Sequence, residues 1–245
     1  MNQWAVRILL VVIIGTMMIL GVSGCMNKKQ LAEENKPNPE VIKERVLTHL
    51  QEKYGEEFVP ISFNGSSWAY AYNQMYLSPK NGSESDRFEV RIVINKDGTY
   101  DISDGYFGIL IAPKYAKVVS EFLGGIYKDF KFFINFGEGV FPDRLNKNTK
   151  LDEIYNANEF FNSDITVFVK DESAKGIDTI DSLNKIAEKM IDKKLVGNVT
   201  IYIVKNEKFD SITMEALNAV NEDEYFIGDY NILMIGKDLE IIKIR

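Results

Sequence analysis

Hydrophobic and polar positions divide this chain into blocks with different periods. Ile8 to Leu20 is an apolar run broken only by Gly15 and Thr16, and Met26 to Asn38 is polar with no period. From Pro39 the spacing becomes helical, with Ile42, Val46, Leu47, Leu50 and Tyr54 on one face. Pro39 suits a first turn, where its missing N–H would have had no intrahelical acceptor. Glu40 sits favourably beside the positive helix end, and Gly55 supplies a stop. The pattern predicts a helix over 39–54.

The period then shortens to two, which predicts strands. Val59 to Phe63 alternates briefly. Trp68 to Leu77 alternates Trp68, Tyr70, Tyr72, Gln74 and Tyr76 against smaller residues. Phe88 to Ile94 places Phe88, Val90, Ile92 and Ile94 on one face. The Asp97-Gly98 pair beyond it is a hairpin signal, because a tight turn between strands needs positive φ at its centre. Further on, helices are predicted at Pro113–Leu123, Leu151–Phe161 and Met214–Val220. Another runs from a cap at Asp178 to about Lys194, with Ile180, Leu183, Ala187, Met190 and Ile191 inward. Strands are predicted at Lys131–Phe136, Ile165–Val169 and Val199–Val204, and a terminal hairpin turns around Gly236-Lys237-Asp238. The order implies an α+β fold of two small lobes, each mainly antiparallel sheet packed with helices. They part near residues 110–113, giving an N-terminal α+β lobe over 39–112 and a C-terminal lobe of mixed α/β character over 113–245.

The first block reads differently. Arg7 precedes an apolar run of signal-peptide length, short of the ~20 residues that a spanning helix prefers. Val22-Ser23-Gly24-Cys25 then resembles the lipobox of bacterial lipoproteins: aliphatic, small, small, cysteine. The resemblance implies diacylglyceryl transfer to the Cys25 thiol and cleavage between Gly24 and Cys25, so that 1–24 is a signal peptide. Two acyl chains suffice for stable anchoring where one does not. Residues 25–38 become a flexible tether that spans at most about 45 Å. The resemblance covers the leader alone. The passenger is similar in organisation to uncharacterised Gram-positive surface lipoproteins, and frequent Lys, Asn, Ile and Glu suit such a source.

Charge narrows the partners. The net charge is −7, and loss of a leader that carries Arg7 and no acid makes the mature chain one unit more acidic. Phosphate backbones need a basic face, so no nucleic acid is expected as partner. The acidity also argues against a polybasic grip on anionic lipid. The membrane is met through the lipid anchor, at the extracytoplasmic face of the cell membrane. The only cysteine is Cys25, which leaves the folded part without disulfides or thiolate metal ligands.

Candidate chemistry is sparse. His49 is the only histidine, no Gly-x-Ser-x-Gly elbow accompanies it, and sites that need several histidines are excluded. Ser182 and Lys185 match Ser-x-x-Lys without the Ser-Asp-Asn and Lys-Thr-Gly elements that such enzymes carry. Asp97, Asp101 and Asp104 gather around the Asp-Gly turn but lack the EF-hand spacing. No metal, cofactor or catalytic residue is therefore expected. The aromatic stripe of Trp68, Tyr70, Tyr72 and Tyr76 either packs beneath a helix or forms a binding surface for sugar or peptide. The leading expectation is a non-enzymatic binding or accessory module at the cell envelope, with a protein or cell-wall partner. The alternatives are a lipoprotein that captures a small solute for transport and an envelope hydrolase with a buried carboxylate pair. Labelled palmitate should enter the wild-type protein and not Cys25→Ala; equal labelling would refute the lipobox reading.

Overall fold

The computed structural model describes residues 38–83, 85–137, 139–159, 161–219 and 222–245. Gly24 and Cys25, with the predicted cleavage and lipidation, lie outside the described residues. Among the described residues no helix is long and apolar enough to cross a membrane. The chain forms two compact units, Met1–Val46 and Leu47–Arg245, whose boundary falls within helix α1 (Pro39–Tyr54). In the first unit, the Asn38 side chain accepts the Glu40 amide at 3.0 Å, and Ile42 and Val46 are buried. In the second, Leu50 and Tyr54 continue the buried stripe. Gly55 ends the helix at φ +72°, donating its amide to the Gln51 carbonyl at 2.7 Å.

The second unit has an α+β fold. Strands β1 (Phe58–Asn64), β2 (Asn73–Pro79), β3 (Phe88–Ile94) and β4 (Tyr100–Asp104) form an antiparallel meander in sequence order. Met75, Leu77, Val90 and Ile92 point from its central strands into the core. At one end Phe58, Phe88 and Tyr106 pack edge-on or tilted at centroid distances of 4.9–5.5 Å. The turn between β3 and β4 follows expectation, with Gly98 at φ +85° and its amide on the Asn95 carbonyl.

Helix α2 (Tyr106–Gly124) begins earlier than the sequence predicts and carries Pro113 in its interior. An interior proline removes one backbone bond and costs ~3 kcal/mol or more. The stripe Phe107, Ile111, Tyr115, Val119 and Leu123, each about 1–2 % exposed, outweighs it. Helical spacing thus continues through residues 110–113. The stripe also serves two cores. Phe107 and Ile111 pack with Leu145 and Ile154, while Tyr115, Val119 and Leu123 join the core of the second sheet.

That sheet has order β5-β6-β7-β8-β9. Its strands are β5 (Phe130–Asn135), β6 (Ser163–Lys170), β7 (Gly197–Val204), β8 (Asn231–Ile235) and β9 (Ile241–Ile244). Only β6 and β7 pair in parallel, and they are joined through the short helix α3 (Asp171–Ala174) and helix α4 (Thr179–Asp192). Asp178 caps α4 as predicted, its carboxylate accepting the Asp181 amide at 2.9 Å. The inward face of α4 is Leu183, Ile186, Ala187 and Met190; Ile180, expected inward, is 43 % exposed, and Ser182 is buried with its hydroxyl on the Asp178 carbonyl. The opposite sheet face is covered by Phe209 of helix α5 (Asn206–Phe209) together with Ile212, Ala216 and Phe226.

Two predicted helices are reduced. Leu151–Phe161 shortens to a single 3-10 turn, Leu151–Glu153. The Arg144 guanidinium takes the Glu153 and Ile154 carbonyls, and the Asn156 side chain takes the Asn158 amide, so the groups that would have continued the helix are engaged elsewhere. The helix expected over Met214–Val220 is a 3-10 turn, Met214–Asn218.

Candidate functional site

The aromatic stripe does not lie on one strand. Pairing between β1 and β2 starts at Asn64 and Gln74, so Gly65 to Tyr72 is a connecting loop. Ser67 organises it: its amide donates to the Tyr70 carbonyl at 2.9 Å, and its hydroxyl accepts the amides of Ala69 and Tyr70. Asn73 closes it, accepting the Ser66 amide at 3.0 Å and donating to the Ile92 carbonyl. The loop contains no charged residue. Trp68 is 101 % exposed and Tyr70 60 %, while Tyr72 and Tyr76 are half-buried. In β2 the buried residues are Asn73, Met75, Leu77 and Pro79, which leaves Gln74 and Tyr76 on the outward side. The tyrosines therefore do not form the inner layer of this sheet.

Around them the outward side carries a bonded polar network. Arg91 grips Glu89 with two hydrogen bonds, Nε to Oε1 at 2.7 Å and Nη2 to Oε2 at 3.0 Å. Gln74 donates to Glu89 Oε1 at 2.8 Å and to the Tyr76 hydroxyl at 3.2 Å. The Arg91 guanidinium lies 5.0 Å from the Tyr72 ring centre and that of Arg87 4.0 Å from Tyr76. These cations shield one face of each ring. Trp68 and Tyr70 are the aromatics that remain most open. Burial pushes the Glu89 carboxyl up, but the hydrogen bonds from Arg91 and Gln74 outweigh it and hold the group below the usual carboxylate range.

Tyr76, Arg87 and Glu89 also edge a recess of about 650 Å³ whose other wall is the start of α2 and the loop through Gly139. Glycine at 105 lets two backbone segments meet at this wall, and glycine at 108 makes room for a ring. A Cβ on Gly105 would lie 2.5 Å from the Gly139 carbonyl oxygen, and one on Gly108 would lie 2.8 Å from the Phe141 ring.

A second cluster is internal. Asp104 is fully buried, and its Oδ1 accepts the Tyr54 hydroxyl at 2.7 Å and the Tyr106 amide at 3.0 Å. Lys53 Nζ bridges Asp104 Oδ2 and Asp143 Oδ1, 2.8 Å from each. His49 Nε2 is 3.4 Å from Asp143 without hydrogen-bond geometry. Ligand-type atoms of His49, Asp104 and Asp143 lie within 4.8 Å of one another. The ammonium of Lys53 already bridges the two carboxylates, so a metal ion would have to displace it. The arrangement is that of an ion-pair network. Alternation along β4 turns Asp104 inward while Asp101 is exposed, and Asp97 is engaged with Thr99 in the turn. The acidic trio read from the sequence is thus dispersed, and Asp143, which the sequence did not single out, takes the shared cation. Ser182 is buried, with its hydroxyl donating to the Asp178 carbonyl.

Lys53→Met leaves Asp104 buried without its cation and should destabilise the fold by about 3–5 kcal/mol in denaturant titration. Adding Asp104→Asn should recover part of that loss, whereas simple additivity of the two would contradict the pairing. Glu89 has a depressed folded pKa, so its contribution is present above the ordinary value of ~4.3 and disappears as pH falls through the folded value. The stability gap between wild type and Glu89→Gln should therefore narrow between about pH 6 and pH 3; a constant gap would show that the carboxylate is not stabilised by Arg91 and Gln74.

No protein-family model and no curated protein matches the chain. Among solved structures it is similar to a DUF5037 family protein from Ruminococcus gnavus, with 16% identity and a TM-score of 0.42 over 82% of this chain and 94% of that one.

Proposed function

We propose that the protein is a bacterial lipoprotein held at the outer face of the cell membrane through acylated Cys25, and that its folded part is a non-enzymatic binding or accessory module for a cell-wall or protein partner. The observation that carries the binding role is the uncharged loop Gly65–Tyr72, with Trp68 wholly in solvent. A large ring kept in water at the tip of an ordered loop gives up burial that would have stabilised the fold, and such rings are enriched where proteins recognise partners. Beside the loop, Gln74, Glu89 and Arg91 offer fixed donors and acceptors on the same side of the sheet. A flat aromatic tip next to a polar row suits a sugar ring or an extended peptide. The acidity of the chain and the leader ending in Cys25 support an anchor of lipid rather than of basic residues.

With the leader removed, Trp68 is the only tryptophan, so its emission reports on this loop alone. Titration with peptidoglycan fragments and with envelope-derived peptides should shift that emission for at least one class. Trp68→Ala should weaken binding of the same ligand about tenfold or more. Unchanged emission across both classes, or a Trp68→Ala variant that binds equally well, would remove the loop as the recognition surface.

A further inference from the structure

We infer that a cavity beside the β8–β9 turn is a binding site for a small amphipathic anion, an apolar body ending in one carboxylate or phosphate. The cavity measures about 310 Å³, at the lower end of the ~300–1,000 Å³ typical of ligand sites. Its apolar lining comes from Ile154, Phe161, Leu195, Met234, Ile235 and Ile242. Tyr115 closes the inner end with its hydroxyl already bonded to Ser163 at 2.6 Å, so it makes little demand on a ligand. Ile242 is 60 % exposed on the edge strand β9, as a residue that caps an apolar ligand would be.

Charge at the mouth selects the head group. Lys194 and Lys237 both line the cavity, and among the described residues neither has an ion-pair partner. The lining acid Glu159 is neutralised by Arg144 at 2.6 Å. Glu240 folds its carboxylate over Gly236 of the same turn, so the rim sets two cations, Lys194 and Lys237, against one acid around an apolar interior.

The backbone at Lys194 gives an independent reason. Helix α4 ends in a Schellman arrangement: the Leu195 amide donates to the Met190 carbonyl at 2.8 Å and the Lys194 amide to the Ile191 carbonyl at 3.0 Å. The residue between these bonds needs positive φ and is usually glycine. Here it is Lys194, at φ +55°. Lys189 already supplies a cation to the last turn of that helix, and Lys193 pairs with Asp192 at 3.3 Å. Lys237 is held from the other side, its carbonyl accepting the Tyr155 hydroxyl at 2.8 Å. Two cations on separately fixed segments therefore edge one apolar cavity.

The test uses the full chain reconstituted in phosphatidylcholine vesicles and a photoreactive decanoate that carries a diazirine, with labelled peptides identified by mass spectrometry. Label should concentrate on the segments around Ile154, Phe161 and Met234. Excess decanoate or decyl phosphate should compete it away, and decanol should do so poorly. The two competitors separate a carboxylate from a phosphate preference. Lys194→Gly relieves the positive-φ strain, so its melting temperature should hold or rise while anion labelling falls about threefold to fivefold, the size of a partly exposed ion pair. Met234→Trp should fill the cavity and abolish labelling there. Equal labelling by a photoreactive decyltrimethylammonium probe would overturn the proposal. So would label spread over the surface without competition, or a folded Lys194→Gly protein that labels like the wild type. Palmitate labelling and Trp68 emission are unaffected by these outcomes, so this site and the anchored binding module stand or fall separately.

Discussion

Asp104 is the constraint on which much of the second unit depends. Its carboxylate is fully enclosed, at the end of β4 and two residues before the first residue of α2. An unpaired charge there would cost several kcal/mol, so the chain must bring partners to it. Lys53 and Tyr54 come from the last turn of α1, the Tyr106 amide from the start of α2, and Asp143 shares the lysine from the loop beyond β5. One buried atom pair thus specifies where the end of α1, the edge of the first sheet and the loop meet. The Asp104 carbonyl extends the tie, accepting the Phe141 amide at 2.9 Å. Hydrophobic burial supplies most of the stabilisation. The carboxylate restricts which arrangement of that burial is acceptable, because alternatives would strand it.

From that point α2 carries order into the second sheet. Its four-residue spacing of buried side chains is long enough to override Pro113, and the same stripe feeds two hydrophobic clusters in succession. The regions left open lie at the margins of this scaffold. The recess near Glu89 sits where glycines let a loop approach α2 closely. The cavity near Lys194 sits where α4 stops and β8 turns. Both are framed by backbone that the cores hold in place, so a ligand would meet largely preformed walls.

Local physics was legible in the sequence wherever a single segment decided the outcome. The limits of α1, the Asp-Gly hairpin, the Asp178 cap and the strands β6 and β7 follow from period, turn chemistry and capping alone. Errors arose where a distant partner decided. Alternation over Trp68–Leu77 suggested one strand, yet Ser67 and Asn73 fold its first half into a loop through bonds that spacing does not reveal. Pro113 taken alone marks a helix start, and the apolar stripe through Phe107 and Ile111 carries the helix past it. Asp104 read as a turn acid because its lysine and tyrosine lie in another element. The Lys193-Lys194-Leu195 run ends a helix without a glycine, and the left-handed cap therefore falls on Lys194, at φ +55°.

The proposed anchor changes what affinity the exposed loop must supply. Under the proposed anchor, a tether of at most about 45 Å would hold the module near one surface, where effective concentrations of envelope components would reach the millimolar range. Contacts from Trp68, Tyr70 and a short polar row are too few for tight binding in free solution, since a strong interface needs a larger enclosed centre. At millimolar effective concentration such a patch would suffice, and its weakness would allow exchange between repeated sites of a polymer. Under that proposal, the lack of charge in Gly65–Tyr72, within a chain that is 27% charged residues, would let the loop approach an anionic surface without repulsion.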